Sequence, residues 1–370
     1  MDKSESIIKG PVNRRSFMRS GLLAGGAALS AGLLNRGTSA FAQDSNSGKL
    51  TKGDAAILRF LAAAELIESD LWTQYAELGG IGTNPPIEVD PNQSLNSYQL
   101  ALSNLDSDGP QYIASNTLDE VSHAAFLNAF LESKGEEPVD LDAFRNLKGS
   151  TATGAQNIGR LTNLMHLNVD TSWFIRYRSS TNPDLGATFP QAVTIKNRTA
   201  IPRTDVDFDG PIHIQVIANT AAFHFGTIEQ GGSSLYAALS RKVSSEEVLE
   251  ITLGIGGDEV AHFLEWVDFA GNGVQAPVAP VSDDGLTFPN FFDPLNPLVQ
   301  PSLIFPVPCE FLGPKLPHVA VIRPLTDKFA GARAAAAFLT NMNLFQGQPK
   351  EFFTQLNNLA DAADAARREL

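Results

Sequence analysis

The chain reads as an all-α protein built around a four-helix bundle, and three features lead there. A pentapeptide recurs with one change: Asp119-Glu120-Val121-Ser122-His123 returns as Asp258-Glu259-Val260-Ala261-His262. Both copies lie in apolar stretches with helical spacing. Each is preceded by another such stretch carrying a lone glutamate. Three residues along a helix turn about 300°, so Glu120 and His123 share a face, as do Glu259 and His262. A carboxylate beside an imidazole is a natural half-site for a first-row metal ion. Two such pairs with two single glutamates make the ligand set of a dimetal four-helix bundle.

Residues 1–42 read as an export signal. Asn13-Arg14-Arg15-Ser16-Phe17-Met18-Arg19 resembles the twin-arginine pattern, an apolar run follows from Gly21 to Leu34, and Ala40-Phe41-Ala42 fits a small-residue cleavage site. The run is short for a membrane span and is interrupted by Gly and Ser. An uncleaved amphipathic anchor is the other reading. The expected location is periplasmic or secreted, with the twin-arginine export machinery as a partner that carries folded proteins.

Residues 43–52 are polar and expected to be a spacer. The first main helix is expected over 54–78, with Asp54 as its N-cap and Gly79-Gly80 as its stop. Leu58, Leu61, Ala62, Glu65, Glu68, Trp72 and Tyr75 recur on it at three- and four-residue steps. A glutamate on such a face is costly unless something pairs with it. A Pro- and Asn-containing loop at 80–94 and a short helix near 95–105 lead to the second main helix, 111–133. Residues 134–212 form an insert too long for a plain loop. Leu161, Leu164, Met165 and Val169 suggest a helix there; Trp173–Arg178 and Ala192–Ile195 look strand-like. Its basic residues Arg176, Arg178, Lys196, Arg198 and Arg203 read as a solvated face or internal ion pairs, with an anion site as the rarer alternative. The third main helix spans 212–240 and carries Glu229. Gly226, Gly231 and Gly232 lower its propensity, so close packing must support it. The fourth begins after Ser244, where Ser244-Ser245-Glu246-Glu247 resembles a capped first turn, and ends near Gly271. Residues 275–324, rich in proline and phenylalanine, read as a wrap over the bundle, because Phe288, Phe291, Phe292, Phe305 and Phe311 need burial. Helices are expected at 330–344 and 350–369, packed on the bundle or on a second subunit of a homo-oligomer. The domains expected after the signal and spacer are thus 53–272, containing the insert, and 273–370.

Composition narrows the chemistry. The 370 residues carry a formal charge of −14, which offers little to a nucleic-acid backbone or an anionic lipid surface. The single cysteine, Cys309, rules out an intramolecular disulfide and thiolate-rich zinc or iron–sulfur sites. A metal site here must use carboxylate and imidazole.

The two single-glutamate helices echo each other: Glu68 is followed seven residues later by Tyr75, and Glu229 seven later by Tyr236. The chain therefore reads as two half-sites, Glu68 with Glu120 and His123, and Glu229 with Glu259 and His262. Four carboxylates neutralise two divalent ions. Asp119 and Asp258 precede their histidines by four residues. They read either as partners that fix an imidazole tautomer, across the pseudo-twofold, or as solvent-facing carboxylates. Tyr75 and Tyr236 are the catalytic candidates, as hydrogen-bond donors to bridging carboxylates or as redox-active residues; as plain core tyrosines they are equally ordinary. His224 points away from Glu229 and reads as structural, and a bundle with core ion pairs and no metal is the bland reading of the whole set.

With these residues in view, the chain resembles the ferritin-like superfamily of dimetal-carboxylate proteins. The Glu68…Tyr75 spacing and the Asp258-Glu259-x-x-His262 run are similar to bacterioferritin and rubrerythrin. The signal, the longer chain and Phe223-His-Phe-Gly-Thr-Ile-Glu-Gln-Gly-Gly-Ser-Ser-Leu-Tyr236 look more like secreted ferritin-like proteins related to desiccation and stress proteins. The resemblance covers about 54–133 and 212–271. It favours Glu68 over its rival Glu65 as a ligand, through the spacing to Tyr75. It implies a centre of two iron ions, with manganese as the alternative, and oxidation of ferrous iron or reduction of oxygen or peroxide. Manganese catalase-like disproportionation of peroxide is a second enzyme reading. The two-fold pattern of Glu-x-x-His favours iron over it. A non-catalytic envelope stress protein that binds a partner is a reading from another class.

Overall fold

The computed structural model describes residues 48–78, 97, 100–102, 109–170, 194–271, 282–288, 315–319 and 331–369. The export signal, the loop at 80–94, most of 95–105, Trp173–Arg178 and most of 275–324 lie outside them.

Among the described residues the fold is helix-rich, with only short paired strands. Four long helices dominate: α1 (Lys52–Leu78), α2 (Gly109–Ser133), α3 (Pro211–Ser240) and α4 (Glu246–Gly271). Helix α1 packs along α2, and α3 along α4. The apolar stripe of α1 is buried as its spacing requires, with Leu58, Leu61, Ala62, Trp72 and Tyr75 all inside.

Helix ends differ from expectation in an instructive way. Thr51 opens α1, its hydroxyl accepting the N–H of Asp54 at 3.0 Å, so the helix starts two residues early. Asp54 lies in its first turn and caps a different helix. Its two carboxylate oxygens accept the N–H groups of Ser244 (2.8 Å) and Ser245 (3.1 Å). Ser245 then accepts the N–H of Val248 at 3.1 Å, satisfying another free donor at the start of α4. The starts of α1 and α4 are thereby tied together.

Helix α3 runs unbroken through its glycines, and α4 lies close against it. A Cβ on Gly256 of α4 would come within 2.7 Å of Tyr236 Cβ.

The insert holds no helix at Leu161–Val169. Hairpin β1 (Leu147–Lys148) pairs antiparallel with β2 (Gly159–Arg160), and β3 (Leu167–Asp170) with β4 (Thr194–Arg198). Leu167 and Val169 are buried at a two-residue step, which is strand period. Backbone partners from outside replace helical ones: Asn163 N–H donates to Leu344 O (2.7 Å) and Asn168 N–H to Met342 O (2.9 Å). The insert is pinned to α1 by buried acids. Asp70 accepts from the Thr162 amide (2.9 Å) and hydroxyl (2.7 Å) and from Arg145 (2.8 Å); Glu77 pairs with Arg160. Of the five basic residues singled out in the sequence, two form ion pairs among the described residues, Arg198 with Asp283 and Arg203 with Asp207.

Strands β5 (Ser282–Asp283) and β6 (Leu286–Thr287) form a small hairpin. Phe288 follows, fully buried and stacked on Phe223 at 5.8 Å. The C-terminal helices are shorter than expected, α5 (Ala332–Asn341) and α6 (Lys350–Ala365). Asp364 of α6 caps α5 by accepting the amides of Ala332 and Arg333, each at 2.9 Å. Helix α6 also packs along α1.

Candidate metal centre

Helical spacing delivers one cluster to the middle of the four long helices. Helix α1 supplies Glu65, α2 supplies Glu120 and His123, α3 supplies Glu229, and α4 supplies Glu259 and His262; all six are buried. Their ligand atoms form two overlapping groups. Glu65, Glu120, His123 and Glu259 make one, and Glu120, Glu229, Glu259 and His262 the other, with the atoms of each within 4.8 Å of one another. Glu120 and Glu259 belong to both.

The imidazoles present Nδ1 to the cluster. His123 Nδ1 lies 3.4 Å from Glu65, 3.3 Å from Glu120 and 3.8 Å from Glu259. His262 Nδ1 lies 3.1 Å from Glu120 and 3.3 Å from Glu229. The far nitrogens meet the pentapeptide aspartates crosswise. His123 Nε2 is 3.2 Å from Asp258, and His262 Nε2 is 3.2 Å from Asp119. An Nε2–H held by a carboxylate leaves the Nδ1 lone pair free for a metal ion.

Glu68 is not in either group; Glu65 stands where the sequence favoured Glu68. One helical turn separates them, and only Glu65 reaches His123 Nδ1. Tyr236 donates its hydroxyl to Glu65 Oε1. Trp72 donates its indole N–H to Glu229 Oε1 at 2.9 Å. Each single glutamate is thus held by the residue seven positions past its counterpart: Glu65 and Trp72 on α1, Glu229 and Tyr236 on α3. Tyr75 does not reach the cluster. Its hydroxyl pairs with His224 Nδ1 at 2.6 Å, and His224 Nε2 faces Met342 Sδ at 3.0 Å. His224 is structural, as its place on the helix implied. In the sequence Trp72 is one more member of the α1 stripe, and nothing there sets its indole N–H apart. The seven-residue step was present for Glu65–Trp72 as much as for Glu68–Tyr75.

The electrostatics are those of a site crowded with acid. Burial and the charge of Glu65 push Glu120 up to about 8. Burial and neighbouring carboxylates drive Glu259 and Glu68 well above the usual range. Burial pulls His123 down, but hydrogen bonds to Asp258, Glu120 and Glu65 outweigh it and raise it to about 12. His262 is raised likewise, against burial, chiefly by the Glu229 charge. Protons therefore crowd into the cluster to offset its carboxylates, and cations would displace them.

The donor set fits a metal. Glu65 Oε2, Glu120 Oε1, Glu229 Oε2, both Glu259 oxygens and His262 Nδ1 are buried without a well-aligned hydrogen bond, and the imidazole–carboxylate approaches of 3.1–3.4 Å are the contacts they have. So many poorly satisfied polar atoms at one point are costly unless a ligand meets them. Room for them is built in: a Cβ on Gly232 would fall 1.9 Å from Glu259 Oε2. These buried Glu and His groups can hold a metal ion. No known family model matches the chain, and no curated protein or solved structure matches it.

Proposed function

We propose that the cluster is a dinuclear metal centre of the ferritin-like type, with iron as its metal and manganese as the alternative. The observation that carries the reading is the set of poorly satisfied buried ligand atoms on four helices, grouped into two overlapping sites. Four carboxylates and two neutral imidazoles balance two divalent ions, and the ligand types suit iron or manganese. Bound iron would supply the electrons for reducing oxygen or peroxide while ferrous iron is oxidised.

The chain's own groups do the rest. Glu65 and Glu229 would hold one ion each, and each is steadied by its cross-helix donor, Tyr236 or Trp72. Glu120 and Glu259, which belong to both groups, would be shared between two ions. Asp258 and Asp119 hold the proton on the outer nitrogen of each imidazole, which keeps Nδ1 basic. Tyr236 touches a ligand and is the nearer of the two tyrosines to any chemistry; Tyr75 is a positioning residue of the surrounding core. The reading extends to export by the twin-arginine route and a role in protection against oxidative stress.

Elemental analysis of the protein carrying its own signal, exported and purified, tests this. About two iron or manganese ions per chain are expected. Glu120→Ala with His123→Ala should remove them while the protein stays helical. Less than about one ion per chain in the wild type, with no iron oxidation and no peroxide consumption, would overturn the proposal.

A further inference from the structure

A small apolar cavity of about 50 Å³ abuts the metal centre. Helices α1, α3 and α5 form it together with Leu356 of α6; α2 and α4, which carry the outer aspartates, line no part of it. Its walls include Phe60, Ala64, Ile228, Leu235, Ala335 and Phe338. Helix α5 lies outside the four long helices and closes this side of them.

Two wall elements reach the cluster. Gly232 is one: the place its Cβ would take is occupied by Glu259 Oε2. Glu68 is the other. It is 7% exposed, lines the cavity, and forms no side-chain hydrogen bond or ion pair among the described residues. A fifth carboxylate beside a cluster of four, buried in the wall of a mostly apolar cavity, has no structural partner to explain it.

Size and polarity select the occupant. An apolar cavity of roughly 150 Å³ admits a benzene ring, so a third of that volume suits a diatomic gas and not a ring. Apart from Glu68 and Gln230 the walls are apolar, so hydrogen peroxide lying among them would leave its two O–H donors unpaired at a cost. Dioxygen brings none.

We propose that this cavity is a dioxygen-holding site that delivers the gas to the carboxylate–histidine cluster past Glu68 and Gly232. The inference rests on the proposed metal centre and names its oxidant. Dioxygen takes one electron from each of two ferrous ions and two protons from solvent, and leaves as hydrogen peroxide.

Xenon is the probe. Crystals of the metal-free full chain pressurised with xenon should show the gas between Ala64, Leu235 and Ala335. Ala335→Phe, and separately the milder Ala334→Leu at the half-buried rim, should exclude it while circular dichroism stays unchanged. In the iron-loaded protein the same variants should slow oxidation driven by dioxygen by about tenfold and leave oxidation driven by hydrogen peroxide at the wild-type rate. Absence of xenon from the wild-type cavity would overturn the proposal. So would plugged variants that use dioxygen normally, or that lose both oxidants equally. Failure to bind iron at all would sink the metal centre instead, and the xenon result would still decide whether the cavity holds gas.

Discussion

At the scale of single residues, the cluster depends on positions that carry no ligand atom. Gly232 is the sharpest case. Alanine is the better helix former by about 1 kcal/mol, so on propensity alone Gly232→Ala should stabilise α3. The added Cβ would instead lie 1.9 Å from Glu259 Oε2. The expected outcome is a folded, fully helical protein that binds at most half the wild-type metal, read by circular dichroism and elemental analysis on the same sample. Trp72 offers a second test. Trp72→Phe keeps an aromatic ring against Phe225 and Trp266 but leaves Glu229 Oε1 without its donor. In metal-free protein this should cost about 1–3 kcal/mol in urea unfolding. Tyr75→Phe, remote from the cluster, should leave metal content untouched. Of the six clustered residues, five stand out in the sequence as candidates: Glu120, His123, Glu229, Glu259 and His262. The exception shows why: Glu65 and Glu68 are both buried on α1, and periodicity cannot say which turn of a helix comes level with His123. Only the partner helix settles that, through the reciprocal bonds of Trp72 and Tyr236.

At the scale of elements, the long helices were readable because each has an unbroken apolar period and a clear stop. The insert was not. Leu161, Leu164 and Met165 fall at helical steps, but Leu161 O accepts from the Gln348 side chain, Leu164 O from the Ala200 amide, and the Asn163 amide between them donates to Leu344 O, all far away in sequence. A period read over so few residues cannot see partners of that kind. Caps show the same limit. Asp54 looked like the start of its own helix and instead anchors the start of α4. The C-terminal pair depends on another long-range cap, Asp364 on the first turn of α5. Asp364→Ala should cost about 0.5–2 kcal/mol and raise hydrogen exchange first at the amides of residues 332 and 333. Because α5 closes the apolar cavity, the same variant should also loosen xenon retention. Unchanged exchange at α5 would mean that packing on α6 alone holds the helix.

At the scale of the whole molecule, the core carries a buried imidazole that makes folding sensitive to acid apart from the metal site. His224 sits between the Tyr75 hydroxyl and the Met342 thioether. A thioether has no proton to give, so Nε2 must carry one and Nδ1 must accept from Tyr75. The ring is therefore neutral in the fold, and burial holds its pKa down at about 3. In the unfolded chain it titrates near 6.5. Between those values the unfolded state binds a proton that the folded state refuses, so stability falls as the pH drops from about 6.5 towards 3. The slope from this residue alone is about 1.4 kcal/mol per pH unit. His224→Gln preserves an acceptor for Tyr75 and removes the titration. Urea unfolding of chelated protein, wild type against variant, at several points between pH 4 and 7 isolates the effect, since the cluster titrates alike in both. The difference in stability between the two should shrink or change sign as the pH falls. Parallel profiles would mean that His224 takes up its proton inside the folded core, with Tyr75 or Met342 moving aside to let it.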